Sequence, residues 1–137
     1  MLQEIYPSWN TFCTENRYFY PVKESCKDVK AFDIRRVYPT KQDTVKAVYE
    51  ALCSNPKVLR VILFGSSITE KCTNTSDLDV CIETSANCTA NEKGLISDAV
   101  RVAANQNCDI IWLDDITPKD SLYTEIRKGL TLYEQTI

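Results

Sequence analysis

Three short apolar runs separated by polar turns frame this 137-residue chain: residues 58–64 (VLRVILF), 78–83 (LDVCIE) and 108–113 (CDIIWL). Runs of this length, bounded by turn residues, read as buried strands. A helical period precedes the first. Val45, Val48, Tyr49 and Leu52 fall at i, i+3, i+4 and i+7 and predict a helix over residues 40–54. Pro39-Thr40 opens it and Ser54-Asn55-Pro56 closes it. Residues 66–71 fit a short helix or turn, and residues 73–76 and 85–91 are polar loops. Leu95, Ile96, Ala99, Val100 and Ala103 predict one apolar face of a helix over residues 92–105. Residues 114–119 form a turn containing Pro118, and residues 121–128 a last helix that Gly129 would cap. Residues 130–133 form a short closing segment in which Tyr133 packs. The order α-β-α-β-α-β-α defines an α/β or α+β domain.

Residues 1–39 have no such period. They carry Pro7, Pro21 and Pro39 and an aromatic cluster of Tyr6, Trp9, Phe12, Tyr18, Phe19 and Tyr20. The aromatics argue against a disordered tail. The expected division is an aromatic-rich extension over residues 1–39, packed on the domain or on a partner, and a domain over residues 40–137. A short strand is expected over residues 31–38.

Composition narrows the chemistry. With 44% hydrophobic and 26% charged residues, one globular domain can build its own core. A net charge of −3 and the absence of any Lys/Arg block disfavour extended nucleic-acid binding. The chain has no histidine, which excludes Ser-His-Asp and Cys-His catalysis and imidazole-ligated zinc. Its seven cysteines show no C-x-x-C pairing and read as free thiols in a reducing compartment. No leader is expected from the first ten residues, and no apolar run reaches membrane-span length. A cytoplasmic protein is the expectation.

The chemistry concentrates between the first two strands. Gly65-Ser66 follows the first, and Asp77 and Asp79 open the second. Residues two apart on a strand share a face, so Asp77 and Asp79 aim both carboxylates at one place. Such anions repel unless a cation sits between them, and hard Mg²⁺ or Mn²⁺ suits oxygen ligands. Gly-Ser at a strand-to-helix turn offers backbone N–H donors and a hydroxyl to a phosphate. Asp109 opens the third strand and joins the pair if that strand lies beside the second. Three carboxylates are enough to hold two divalent ions and activate a hydroxyl for attack on phosphorus. Each feature also has a structural reading. Gly-Ser is a common turn and N-cap, and Asp often starts a strand. Their joint spacing between two core strands is the specific signal. Asp114 and Asp115 read as a solvated turn, and Glu83 as a strand-end charge.

Gly65-Ser66, ten residues, then Asp77-Leu78-Asp79 resembles the signature of minimal nucleotidyltransferases of the DNA polymerase β superfamily. It is most similar to antitoxins paired with HEPN-domain toxins. Residues 108–115 (CDIIWLDD) resemble the family's later strand, and residues 128–134 (KGLTLYE) its usual close. The resemblance covers roughly residues 41–134. It implies a mixed central sheet flanked by helices, and transfer of a nucleoside monophosphate, typically AMP from ATP, to a hydroxyl. Asp77, Asp79 and Asp109 would bind Mg²⁺ or Mn²⁺ and carry catalysis. Gly65, Ser66 and Ser67 would hold the triphosphate, with Lys71 a nearby cation. A HEPN-type toxin is the implied partner, and a homo-oligomer is compatible with the pattern. One departure stands out: many relatives carry Arg soon after Gly-Ser, where this chain has Ser67-Ile68-Thr69-Glu70. Two other readings are a catalytically weak or inactive module of this fold that binds its partner by contact, and a stand-alone nucleotidyltransferase acting on a small molecule or RNA end.

Overall fold

The computed structural model describes residues 20–69 and 72–135. Helix α1 (Gln42–Leu52) leads into strand β1 (Val58–Phe64). A single 3₁₀ turn, Gly65–Ile68, follows, and then strand β2 (Leu78–Thr84). Helix α2 (Ala90–Ala104), strand β3 (Cys108–Trp112), helix α3 (Ser121–Arg127) and strand β4 (Leu130–Glu134) complete the order. The sheet runs β3-β2-β1-β4. β1 is antiparallel to β2 and β4, while β2 and β3 are parallel, so the sheet is mixed and the fold α+β. No helix among the described residues is long and apolar enough to cross a membrane.

The two faces of the sheet differ. Val61, Leu63, Leu78, Val80 and Ile82 point to the face covered by α1 and α2, where they meet Val45, Val48, Leu52, Ile96 and Val100. Ile62, Phe64 and Cys81 point the other way and meet Ile126 of the short helix α3. Two helices thus cover one face, and among the described residues the other carries the seven-residue helix α3 and the turn after β3, where Leu113 and Ile116 pack.

Residues 20–39 join the main core rather than standing apart from it. Cys26, Phe32, Ile34 and Val37 are buried with the residues of α1 and the sheet. Gln42, fully buried, fastens this segment. Its Nε2 donates to the carbonyls of Pro21 (2.9 Å) and Val37 (3.1 Å), and its Oε1 accepts from the Lys23 N–H (2.8 Å). The aromatics from Tyr6 to Phe19 lie outside the described residues. Tyr20 is buried and meets Tyr38 edge-on.

Several expectations need correction. The strand expected over residues 31–38 is instead a 3₁₀ turn, Ile34–Arg36. Asp33 accepts from the Arg35 N–H and from its guanidinium, a local bonding pattern that competes with strand pairing. Helix α2 begins before residue 92 because Thr89 and Glu92 form a reciprocal capping box. Leu95 is 68% exposed and Val102 79% exposed, so the buried face of α2 is Ile96, Val100 and Ala104. Gly129 does not cap α3 in a left-handed conformation. It is glycine because a Cβ there would lie 2.6 Å from the Leu63 carbonyl oxygen and 2.7 Å from Ile62 Cγ2. The closing segment is a full strand, β4, and Tyr133 packs against Tyr49 as expected. The six described cysteines are all free, as expected.

Gln42 supplies a prediction. Gln42→Leu keeps the approximate volume but leaves the buried Val37 carbonyl and the part-buried Pro21 carbonyl and Lys23 N–H without their partner. Unfolding free energy from urea titration should fall by about 3 kcal/mol. A change within 0.5 kcal/mol of zero would show that water replaces those bonds.

Candidate active site

The site forms where the sheet topology brings β1, β2 and β3 together at one end. β1 ends at Phe64, which pairs with Asp79 in β2, and Asp79 pairs with Asp109 in β3. Residues paired across a sheet share a face, and neighbouring strands lie about 4.8 Å apart. Asp79 and Asp109 therefore stand side by side on the open face. Asp77 precedes β2 and is exposed, as is Asp109, while Asp79 is partly buried. Asp79 is raised from its usual value to about 6. Burial is the main cause, followed by the charge of Asp109, a hydrogen bond with it, and the charge of Asp77. Sequence reasoning placed these three together, and all three interact electrostatically.

Gly65 completes the crowding. Its φ is +79°, and a Cβ at this position would collide with Asp79 Oδ2. Both the left-handed backbone and the carboxylate above it require glycine. The Gly-Ser turn is one 3₁₀ turn rather than the start of a longer helix. Ser66 is partly exposed beside Gly65, and its carbonyl accepts from the Thr69 N–H (2.9 Å) and hydroxyl (3.1 Å). Ser67 departs from expectation as a phosphate ligand. It is fully buried, and its Oγ has no hydrogen-bond partner among the described residues. Its backbone carbonyl instead accepts from the Tyr38 N–H (2.8 Å). That bond ties the turn to the residue 20–39 segment. Lys71 lies outside the described residues. Glu83 shares the open face but pairs with Arg60 at 3.1 Å. Asp114 and Asp115 are exposed in a 3₁₀ turn.

Sequence reasoning missed Lys41. It is only 3% exposed, and its ammonium donates to the carbonyls of Ser76 (2.7 Å) and Asn74 (3.3 Å) and to Gln106 Oε1 (3.0 Å). Gln106 Nε2 also donates to the Ser76 carbonyl (3.1 Å). Two donors thus fix the peptide directly before Asp77. The only signal in the sequence was a lysine just before an amphipathic helix, which ordinarily reads as a surface charge.

The donor set suits a hard divalent cation: adjacent carboxylates, one partly buried and resisting ionisation, beside a glycine cradle shaped to Asp79. No three His, Cys, Asp or Glu side chains among the described residues converge into a closed metal cluster. Asp79 and Asp109 are paired across β2 and β3, and Asp77, just before β2, adds its charge to theirs.

Known proteins give the same family as the geometry. The chain matches the family described as polymerase beta, nucleotidyltransferase, over residues 46–137, and it belongs to that family. No curated protein sequence matches it significantly. Solved structures similar to it include toxin–antitoxin complexes. A toxin–antitoxin with AMP-PNP matches with a TM-score of 0.54 at 17% identity, covering 66% of this chain and 73% of that one. A mutant MntA–HepT toxin–antitoxin complex matches at 0.52 and 16%, with the same coverages. The tri-AMPylated Shewanella oneidensis HEPN toxin in complex with MNT antitoxin matches at 0.50 and 18%, covering 69% and 73%. At these identities the likeness is one of fold.

Two outcomes test the site without any ligand. The folded protein holds the Asp79 proton more tightly than the unfolded chain does. Stability from this group is therefore complete below about pH 4 and is lost as pH rises through about 6. Asp79→Asn should stabilise the protein at pH 7.5 by about 2 kcal/mol in thermal melts, with the gain gone by about pH 4. A gain independent of pH would contradict the electrostatic origin. Gly65→Ala should lower stability by about 2 kcal/mol and push the Asp79 carboxylate outward. Its titration midpoint, followed by carboxyl-carbon NMR, should drop from about 6 toward the usual carboxylate range. An unmoved midpoint would show that Gly65 does not shape the pocket.

Proposed function

We propose that this nucleotidyltransferase-family chain transfers AMP from ATP to a hydroxyl on a partner protein, acting as the antitoxin of a HEPN-type toxin. The observation that carries this reading is the Asp79–Asp109 pair beside the Gly65 turn on the open face of the sheet. An in-line transfer forms a bond from the acceptor oxygen to the α-phosphorus and breaks the bond to the β-phosphate oxygen. Pyrophosphate leaves and the hydroxyl gives up its proton. Asp77, Asp79 and Asp109 would hold Mg²⁺ or Mn²⁺, which when bound would neutralise phosphate charge and lower the pKa of the acceptor hydroxyl. Asp109, exposed on β3, would help take the acceptor proton. Gly65 lets the backbone approach the triphosphate closely, and Ser66 offers its hydroxyl to it. Among the described residues this face is covered by α3 and the turn after β3, while Asp77 and Asp109 are exposed, which supports access by a macromolecular acceptor. The AMPylated state of the HEPN toxin in a similar complex supports the choice of acceptor.

The test is label transfer. The purified chain, Mg²⁺ and ATP labelled at the α-phosphate are incubated with a HEPN-domain toxin from the same genome. Wild type should label the toxin, and Asp77→Ala/Asp79→Ala should reduce labelling at least 100-fold. Equal labelling by the variant would overturn the reading. A variant that still neutralises the toxin without labelling it would support neutralisation by contact.

A further inference from the structure

The Gly65–Ile68 turn carries no cation of its own, yet the fold brings one to the same end of the sheet. Arg36 lies in the segment before α1, ahead of the family match at residues 46–137. Two contacts place it. Two residues on, the Tyr38 N–H donates to the Ser67 carbonyl at 2.8 Å, which ties this segment to the Gly-Ser turn. Its own Nη2 donates to the Lys128 carbonyl at 3.4 Å, at the end of α3. Lys128 and Gly129 lead directly into Leu130, which pairs with Leu63, one residue before Phe64, the partner of Asp79. The Arg36 guanidinium therefore lies at the sheet end that holds Gly65 and Asp79. It sits toward the β4 edge, while Asp109 sits toward the β3 edge.

Arg36 is also uncommitted. It is partly exposed; its backbone N–H donates to the Asp33 carbonyl at 3.0 Å, its charge bears weakly on Asp33, and the long bond to Lys128 is the only hydrogen bond its side chain makes with a described residue. A guanidinium has five N–H donors in a planar fork that matches phosphate oxygens. Its neighbour Arg35 differs: both its Nε and its Nη2 are taken by Asp33. The segment thus satisfies one arginine internally and leaves the next facing the turn's end of the sheet.

We infer that Arg36 binds the β- and γ-phosphates of the nucleoside triphosphate, supplying from outside the family domain the cation that the Gly-Ser turn lacks. This rests on the proposed nucleotidyl transfer. It divides the triphosphate between two sources of charge: carboxylate-held cations at the transferring phosphate and a guanidinium at the leaving pyrophosphate. Arg36 is a binding residue in this scheme, acting on the part of the substrate that departs.

The test compares nucleotides that differ only in those phosphates. ATP and AMP are titrated calorimetrically, each with Mg²⁺, into wild type, Arg36→Gln and Arg36→Lys, with thermal melts confirming that each variant is folded. Arg36→Gln should bind ATP about tenfold more weakly. Its affinity for AMP should be unchanged, and Arg36→Lys should recover part of the loss. Inorganic tripolyphosphate should compete with ATP on wild type and poorly on Arg36→Gln. Equal ATP binding by wild type and Arg36→Gln overturns the inference and leaves the proposed function standing. An equal loss of ATP and AMP binding also overturns it, because the residue would then shape the whole pocket. If wild type binds no nucleotide in the presence of Mg²⁺, both the function and the inference fall.

Discussion

Like-charge crowding at the start of β2 and β3 governs this molecule. Parallel pairing puts Asp79 beside Asp109, and Asp77 adds a third negative charge two residues away. A fold selected for stability alone would separate or neutralise them. This one instead presses Asp79 against a glycine that no other residue could replace without a clash. Positive charge brought between the carboxylates would relieve that repulsion. The asymmetry of the sheet follows the same need. Two helices and the residue 20–39 segment roof one face, and the carboxylate face stays open at its reactive end.

The segment before α1 is part of the site's scaffold. Its side chains fill the main core, Gln42 locks its backbone, and Tyr38 bonds to the turn that carries Ser66 and Ser67. Lys41 then reaches under the loop that delivers Asp77. A domain drawn from the family match alone would omit residues that hold two of the site's loops in place.

Much of this was legible in the sequence, for physical reasons that differ by element. β1, β2 and β3 announced themselves as apolar runs, and α1 by its Val45-Val48-Leu52 spacing, because burial is what those patterns encode. The Gly65-Ser66 to Asp77-x-Asp79 spacing was legible because chemistry demands particular side chains at particular strand positions. The capping box at Thr89 and Glu92 was equally readable and would have set the start of α2 correctly. Other features were hidden by tertiary context. Leu95 fits an apolar face by period, but the neighbours that decide its exposure are distant in sequence. Gly129 looked like a cap, whereas its requirement comes from β1 lying against it. The burial of Ser67 goes with a bond from the distant Tyr38, and that of Lys41 with acceptors more than 30 residues away.

The Lys41 cradle has a further consequence. Two backbone carbonyls and a side-chain amide oxygen, converging on one positive centre, form the kind of oxygen cage that loops elsewhere fill with a sodium or potassium ion from solution. Here the cation is covalently tethered. It cannot be exchanged, diluted or outcompeted, so the loop that carries Asp77 is organised in every molecule whatever the ionic composition of the medium. The chain thereby separates two tasks that ions often share. Structural charge is built into the polypeptide, and any exchangeable ion is left for the carboxylates on the open face.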